Sequence, residues 1–209
     1  VTLNTEGTYA ASAYVDDITV GANVNISGLS ESDNIQLTGG KLTRTNAGDL
    51  VIDGTTYDVT VTDFDFANAT KNFKLNNSSI TTANEIDVTL TGNHEYTTTA
   101  YTEKIHGEGT VAAASLSTEG SDVDRLALDG TVTYERTNNG YLHVKGSTNS
   151  DDITVTGFDF TDATTNNINV NGTLTSASTV IETTITSNAN DYVGSAYVDN
   201  ITINTGVTG

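Results

Sequence analysis

The chain has 209 residues, of which 27 are acidic and 8 are basic, so its formal net charge at pH 7 is −19. That charge argues against nucleic acid and anionic lipid as partners, because both are bound through clusters of lysine and arginine. The sequence has no cysteine, which excludes disulfides and thiol catalysis, and it has no apolar run of about 18 residues that could insert into a membrane.

The opening segment, residues 1–20, recurs twice along the chain with its tyrosine spacing nearly kept. The three pairs of tyrosines are Tyr9 and Tyr14, Tyr96 and Tyr101, and Tyr192 and Tyr197. Two internal stretches also recur, since residues 44–54 align with 136–146 and residues 59–70 align with 153–164. Matches of this length indicate an internal duplication.

The recurrences divide the sequence into three parts. Repeat one covers residues 1–87, repeat two covers 88–183, and residues 184–209 form the opening of a third repeat. We expect this last part to cap the array or to join it to something else.

In chain order, short runs alternate β-branched or other apolar residues with polar ones and end in glycine or asparagine. This is the pattern of a half-buried strand followed by a turn. The predicted strands are 24–28, 35–39, 50–54, 73–77, 88–92, 126–130, 142–146, 153–157 and 168–172. Apolar residues do not recur at helical spacing over three turns, so we predict an all-β fold.

Two repetitive architectures fit a duplicated unit of about 90 residues, namely a β-solenoid-like stack of rungs and a tandem β-sandwich. The lack of proline favours the solenoid, because stacked rungs use every backbone N–H in the ladder. The paired phenylalanines favour the wider core of a sandwich; they are Phe64, Phe66, Phe158 and Phe160. Both architectures remain open at this point.

Runs such as residues 16–20 and 168–172, rich in Thr, Asn, Asp and Gly, are repeated through a cysteine-free chain. In this composition the whole chain resembles the repetitive β-proteins of prokaryotic cell surfaces, a class that includes S-layer proteins, autotransporter-like adhesin stalks and polymerising surface filaments. The resemblance implies an extracellular or cell-surface location, a role as scaffold or adhesin, and calcium in the loops. It carries over no catalytic residue.

Pairs of aspartates in the loops are candidate calcium ligands, because calcium prefers several carboxylate and carbonyl oxygens. The candidate metal residues are Asp16, Asp17, Asp63, Asp65, Asp122, Asp124, Asp151 and Asp152. The alternative is that these carboxylates only face solvent.

Catalytic residues are not evident. His94, His106 and His143 have no counterparts in the other repeats, so we interpret them as surface residues. Arg44 and Arg136 occupy equivalent positions, which predicts a structural role such as a turn-stabilising ion pair. We therefore expect no enzyme, with a polysaccharide-cleaving β-solenoid as the enzymatic alternative.

The function that these observations predict is a structural module of an extracellular prokaryotic lattice, stalk or filament. The segment that follows repeat two in one molecule should also fit before repeat one in another, so the expected partner is a second copy of the chain in a head-to-tail contact. A surface glycan is a further expected partner. The alternative function is a glycan- or cation-binding surface module.

Overall fold

The structure is a computed structural model that describes residues 1–45, 48–64, 72–92, 95–112, 124–136, 140–148, 150–157, 168–188, 192 and 194–207. Within these residues there are 22 strands and no helix. The all-β class and the β-rich character predicted from the sequence are thus confirmed. Among the described residues there is no helix with the length and hydropathy needed to cross a membrane.

The strands are short, with two to six residues each. The first eleven are β1 (Thr2–Leu3), β2 (Gly7–Ala10), β3 (Asp17–Val20), β4 (Val24–Ser27), β5 (Asn34–Gln36), β6 (Lys41–Arg44), β7 (Leu50–Asp53), β8 (Asp58–Val61), β9 (Lys74–Leu75), β10 (Ser78–Ser79) and β11 (Glu85–Leu90). The others are β12 (Glu95–Thr97), β13 (Thr102–Gly107), β14 (Gly109–Ala112), β15 (Arg125–Leu126), β16 (Thr133–Arg136), β17 (Leu142–Lys145), β18 (Asp152–Thr156), β19 (Asn169–Val170), β20 (Thr173–Leu174), β21 (Val180–Ile185) and β22 (Val198–Ile203). Strands this short depend on neighbouring strands for their stability.

The chain forms two compact units. Unit one consists of Val1–Thr89 and Thr99–Glu103, and unit two consists of Leu90–Thr98 and Lys104–Gly209.

The first sheet of unit one has the order β1-β3-β5-β9-β10, and its first four strands run parallel. Thr2 lies opposite Thr19 and Asp17 lies opposite Asn34, so the chain reaches the matching position in the neighbouring strand after 17 residues. Parallel neighbours cannot be joined by a tight hairpin, and here the returning chain passes through the second sheet of the unit.

The second sheet of unit one contains β2, β4, β8, β7, β6 and β11 as successive neighbours. β2, β4 and β8 are parallel, β8, β7 and β6 are antiparallel, and β6 pairs with β11 in parallel. β6 and β7 therefore form a hairpin placed within the chain pass that connects β5 to β8.

Unit two has a seven-stranded sheet with the order β12-β14-β18-β17-β16-β21-β22. β12, β14 and β18 are parallel, β18, β17 and β16 are antiparallel, and β16, β21 and β22 are parallel. β13, β15, β19 and β20 form a further row, in which only β19 and β20 are antiparallel.

The core consists of columns of β-branched and leucine side chains on the inward face of the strands. Side chains alternate between the two faces of a strand, and in β3 the alternation leaves Ile18 fully buried while Thr19 is exposed. Ile18 lies opposite the fully buried Ile35 in the neighbouring strand. Parallel pairing thus stacks like on like and gives a narrow aliphatic core.

Two hairpins close through two-residue turns with positive φ at both positions. Asn76 (φ 51°) and Asn77 (φ 63°) join β9 to β10, and Asn171 (φ 50°) and Gly172 (φ 77°) join β19 to β20. Asparagine and glycine tolerate this backbone region, and such turns match the twist of the flanking strands.

Candidate functional site

The tyrosine-centred segments share a five-residue pattern. Residues 12–16, 99–103 and 195–199 each begin with Ser or Thr, continue with Ala-Tyr, and end with Asp or Glu. We call this element the carboxylate-closed turn, because in each copy the last side chain bonds back to the first residue.

In the first copy, the Asp16 carboxylate accepts both the backbone N–H of Ser12 at 2.7 Å and its hydroxyl at 3.0 Å. The Ser12 hydroxyl oxygen in turn accepts the N–H of Tyr14 at 3.2 Å. A short polar side chain thereby satisfies backbone donors that have no strand partner, and the chain is directed into β3.

The other two copies have the same bonds. Glu103 accepts the N–H and the hydroxyl of Thr99, both at 2.9 Å. Asp199 accepts the N–H of Ser195 at 2.7 Å and its hydroxyl at 2.9 Å. The tyrosine N–H donates to the hydroxyl at 3.2 Å in each. The sequence signal for this turn is an acid four residues after a hydroxyl residue, with Ala-Tyr between them.

The tyrosine in the turn is buried in two copies and exposed in one. Tyr101 is 2% exposed and lies 6.2 Å, between ring centroids, from Phe64, which makes an edge contact with Phe73 at 4.9 Å. Tyr197 is 7% exposed, and burial raises its pKa, an effect that a hydrogen bond with Thr175 opposes. Tyr14 is 82% exposed.

In the strand after the turn, the exposed isoleucine belongs to the third copy and not to the first. Ile18 and Ile105 are fully buried, whereas the equivalent Ile201 in β22 is 45% exposed and Ile203 is 58% exposed. β22 is the last strand in the described part of its sheet and pairs on one side with β21. Within the described part of the chain no strand pairs with its other edge, and its apolar side chains are exposed.

The first turn shifts the pKa values of Asp16 and Tyr9. The pKa of Asp16 is lowered, chiefly by the hydrogen bond from the Ser12 N–H and despite partial burial. The Tyr9 hydroxyl donates to Asp16 at 3.5 Å, and the pKa of Tyr9 is raised by burial and then by the nearby Asp16 charge.

Asp33 couples this first turn to the next strand. Asp33 is fully buried, and one carboxylate oxygen accepts the N–H of Asp16 at 2.8 Å. The other accepts the N–H of Ser30 at 2.6 Å and its hydroxyl at 3.1 Å. This carboxylate therefore positions the chain in front of both β3 and β5.

The two equivalent arginines reach different partners. Arg44 Nη1 donates to Glu103 Oε1 at 3.5 Å, which is the turn-stabilising ion pair predicted for it. Arg136 Nη1 donates to the Tyr192 hydroxyl at 3.4 Å, and the guanidinium carbon lies 5.0 Å from the centroid of that ring. Arg44 thus binds the turn at residues 99–103, whereas Arg136 binds Tyr192, three residues before the turn at residues 195–199.

The predicted metal residues have separate environments. Asp16 is occupied with Ser12, Asp17 accepts the Asn34 amide at 2.7 Å, and Asp151 accepts the Thr148 hydroxyl at 2.5 Å. Asp63 lies after β8 with φ 60°, Asp124 is buried before β15, and Asp152 begins β18. Asp65 and Asp122 lie outside the described residues. Within the described part of the chain, acidic residues and histidines do not gather in groups of three or more that could hold a metal ion.

Two of the histidines are described. His143 lies on β17, with its Nδ1 3.2 Å from the Thr154 hydroxyl, and burial followed by the Lys145 charge lowers its pKa. His106 lies on β13, and His94 is outside the described residues.

Unit one also contains a polar groove, whose lining residues are far apart in the sequence and share no motif. Its volume is about 460 Å³, and its lining is uncharged. The lining residues are Thr19, Val20, Gln36, Leu37, Thr38, Thr55, Thr56, Tyr57, Asn76 and Asn77. Tyr57 is 38% exposed and offers an aromatic face beside amide side chains.

Comparison of the chain with protein-family models, with curated proteins and with solved structures finds no match. The functional argument therefore depends on the residues of this chain.

Proposed function

We propose that the chain is a structural subunit or module of an extracellular prokaryotic surface assembly, such as a filament, an S-layer or an adhesin stalk, and that it self-associates through β-strand contacts. The observation that carries the proposal is β22, a six-residue strand with one side at the edge of its sheet and with Ile201 and Ile203 exposed. A long apolar edge strand is a template for pairing with another chain.

The proposed architecture is a two-sheet β-solenoid built from a duplicated unit. Parallel pairing at a step of 17 residues supports a solenoid over a sandwich, because sandwiches are built from antiparallel sheets. The duplication is supported by equivalent pairings, since β6 pairs with β7 and β11 as β16 pairs with β17 and β21. A solenoid protects its long sides and leaves its ends as the places for association.

The roles of the carboxylates support a scaffold. Asp16, Asp33 and Glu103 are engaged in closing turns and placing strands. The composition and the acidic charge suit an exposed surface outside the cell. Calcium is also part of this proposal. Its ligands would be the candidate metal residues given above other than Asp16, since carboxylate oxygens are the type that calcium prefers.

The test is polymerisation of the purified chain. We expect sedimentation velocity and electron microscopy to show polymers that grow with concentration and with added salt, because salt screens the repulsion between chains of net charge −19. Deletion of residues 191–209 should abolish polymers and leave most of the β signal in circular dichroism. A full chain that stays monomeric at high concentration in salt and calcium would contradict the proposal.

The groove in unit one favours a second candidate function, the binding of a neutral glycan. Carbohydrates stack on exposed aromatic faces and bond to amide and hydroxyl groups, and Tyr57, Gln36 and Asn76 offer these groups together. We expect Tyr57→Ala to abolish any binding of the chain to neutral oligosaccharides in calorimetry, with Tyr141→Ala as the exposed-tyrosine control. Binding that survives Tyr57→Ala would place the ligand elsewhere.

A further inference from the structure

In each copy the carboxylate-closed turn is followed by a strand with an isoleucine, and the copies differ in whether the turn tyrosine and this isoleucine are buried. We call a copy complete when both side chains are buried and incomplete when one of them is exposed. At residues 99–107 both halves are buried, with Tyr101 2% exposed and Ile105 fully buried. At residues 12–20 the isoleucine half is buried and Tyr14 is 82% exposed. At residues 195–203 the tyrosine half is buried and Ile201 is 45% exposed. The first and third copies are therefore incomplete in opposite ways.

The sequences of the incomplete copies are more similar to each other than to the complete one. Residues 12–20 and 195–203 are identical at seven of nine positions, whereas residues 99–107 share three of nine with either. The two segments thus have nearly the same turn and the same following strand, which is β3 in the first segment and β22 in the third.

Exposed apolar side chains concentrate at the same two places. Of the ten large hydrophobic residues exposed in the described part of the chain, six lie in residues 1–20 or 195–203. They are Val1, Tyr14, Val15, Val198, Ile201 and Ile203. Large exposed apolar groups of this kind mark interaction surfaces.

The strand directions at the two places are compatible. β1 is the end strand of its described sheet and runs parallel to β3, and β22 is the end strand of its described sheet and runs parallel to β21. A parallel pair between the two open edges would continue both sheets in the pattern that each already has.

We propose that the acceptor for β22 is the β1 edge of a second copy of this chain, and that the Tyr14 turn of that copy packs on the exposed side chains of β22. This inference rests on the proposed function. We call the β1 edge with the Tyr14 turn the head surface of a molecule, and the exposed side of β22 its tail surface. The two surfaces differ, so the contact is head to tail and leaves a new head and a new tail after each addition. Asp16, Asp17 and Asp199 bring negative charge to both surfaces, so the contact strengthens with salt.

The experiment uses two blocked variants of the full chain. The head-blocked variant is Tyr14→Asp, and the tail-blocked variant is Ile201→Asp with Ile203→Asp. Each keeps one intact surface. We expect each variant alone to be monomeric in salt at concentrations where the unaltered chain polymerises, and an equimolar mixture to form a 1:1 dimer that grows no further. Sedimentation velocity would record a doubling of mass in the mixture.

The controls separate this inference from loss of folding and from added charge. Tyr141→Asp adds the same charge at an exposed tyrosine outside both surfaces and should polymerise like the unaltered chain. Val15→Asp and Val198→Asp are second head and tail variants, and circular dichroism should show native β signal in all of them. Tyr14→Asp and Val15→Asp chains that still polymerise would overturn the head surface while the proposed function stands. A mixture of folded, blocked variants that stays monomeric would overturn the pairing of head with tail, and an unaltered chain that never polymerises would overturn both proposals.

Discussion

Arg44 on β6 donates through Nη1 to Oε1 of Glu103, which lies 59 residues further along the chain, at 3.5 Å. The Glu103 side chain is fully buried and the Arg44 side chain is 14% exposed. The same carboxylate closes the turn at Thr99. One buried acid thus connects a strand to a turn.

Glu103→Ala should therefore lower the free energy of unfolding by about 3–5 kcal/mol, since it removes one partner of a buried charge pair. The matched control is Glu135→Ala, which removes an ion pair with Lys145 whose side chains are 47% and 36% exposed. That pair is worth about 0–1 kcal/mol. Urea unfolding of both variants measures the difference, and equal losses would show that burial does not decide the value of these pairs.

The tyrosine of the turn should matter in proportion to its burial. Tyr101→Ala should cost about 3–5 kcal/mol, because a large aromatic side chain leaves a cavity beside Phe64. Tyr14→Ala should stay within about 0.5 kcal/mol of the unaltered chain, as is usual for exposed positions. Thermal unfolding at a concentration where the chain is monomeric checks both, and similar losses would contradict the exposure of Tyr14.

Asp16 should make the stability of the first turn depend on acid. Its pKa is lowered in the folded chain, chiefly by the Ser12 N–H, so its stabilising effect is full above the unfolded pKa of about 3.9 and is lost as pH falls through the lower folded value. Asp16→Asn keeps an oxygen acceptor but does not titrate. The urea midpoint of Asp16→Asn should fall less than that of the unaltered chain between pH 5 and pH 2, and an equal fall would assign the acid sensitivity to other carboxylates.

His143 should titrate below its ordinary value of about 6.5, because burial and then Lys145 disfavour its charged form more than Glu135 and Asp152 favour it. The unfolded chain binds this proton more readily, so stability falls as pH drops through 6.5 towards the folded pKa. NMR titration of the ring protons measures the midpoint, and His143→Gln should remove this part of the pH dependence. A midpoint above 6.5 would contradict the prediction.

Calcium should raise the melting temperature of the chain if loop aspartates bind it, because an ion bound only by the folded state stabilises that state by mass action. The comparison is between excess chelator and millimolar calcium, with magnesium at the same concentration as the control for ionic strength. Asp63→Asn and Asp152→Asn should each reduce the calcium-dependent increase in melting temperature. An unchanged melting temperature would remove calcium from the proposal.

Much of the strand content could be predicted from the sequence. Each of the nine predicted strands shares at least one residue with an observed strand, as residues 50–54 do with β7. Period-two alternation is a local property, so it survives whatever the strand pairs with. The predicted strands often extended too far at glycine or asparagine, since the pairing of β9 and β19 stops after two residues.

The pairing itself was not predictable by the same argument. The partner of Thr2 is Thr19, and no tight turn between them marks a parallel neighbour. The role of Asp33 was not predictable for a related reason, because loop aspartates usually face water. Asp33 is instead fully buried and bonded to backbone donors, a role that depends on strands brought together by the fold.

The hairpin of β6 and β7 lengthens the chain between β4 and β8, which are still direct neighbours in the sheet. Gly7 lies opposite Val24, 17 residues on, whereas Val24 lies opposite Val59, 35 residues on, with the hairpin between them. The extra residues leave Val24 and Val59 in the same buried column. The core of this unit thus tolerates extra polypeptide between β4 and β8, so the exposed turn at Thr55 and Thr56, between β7 and β8, is a natural position for inserting a foreign peptide.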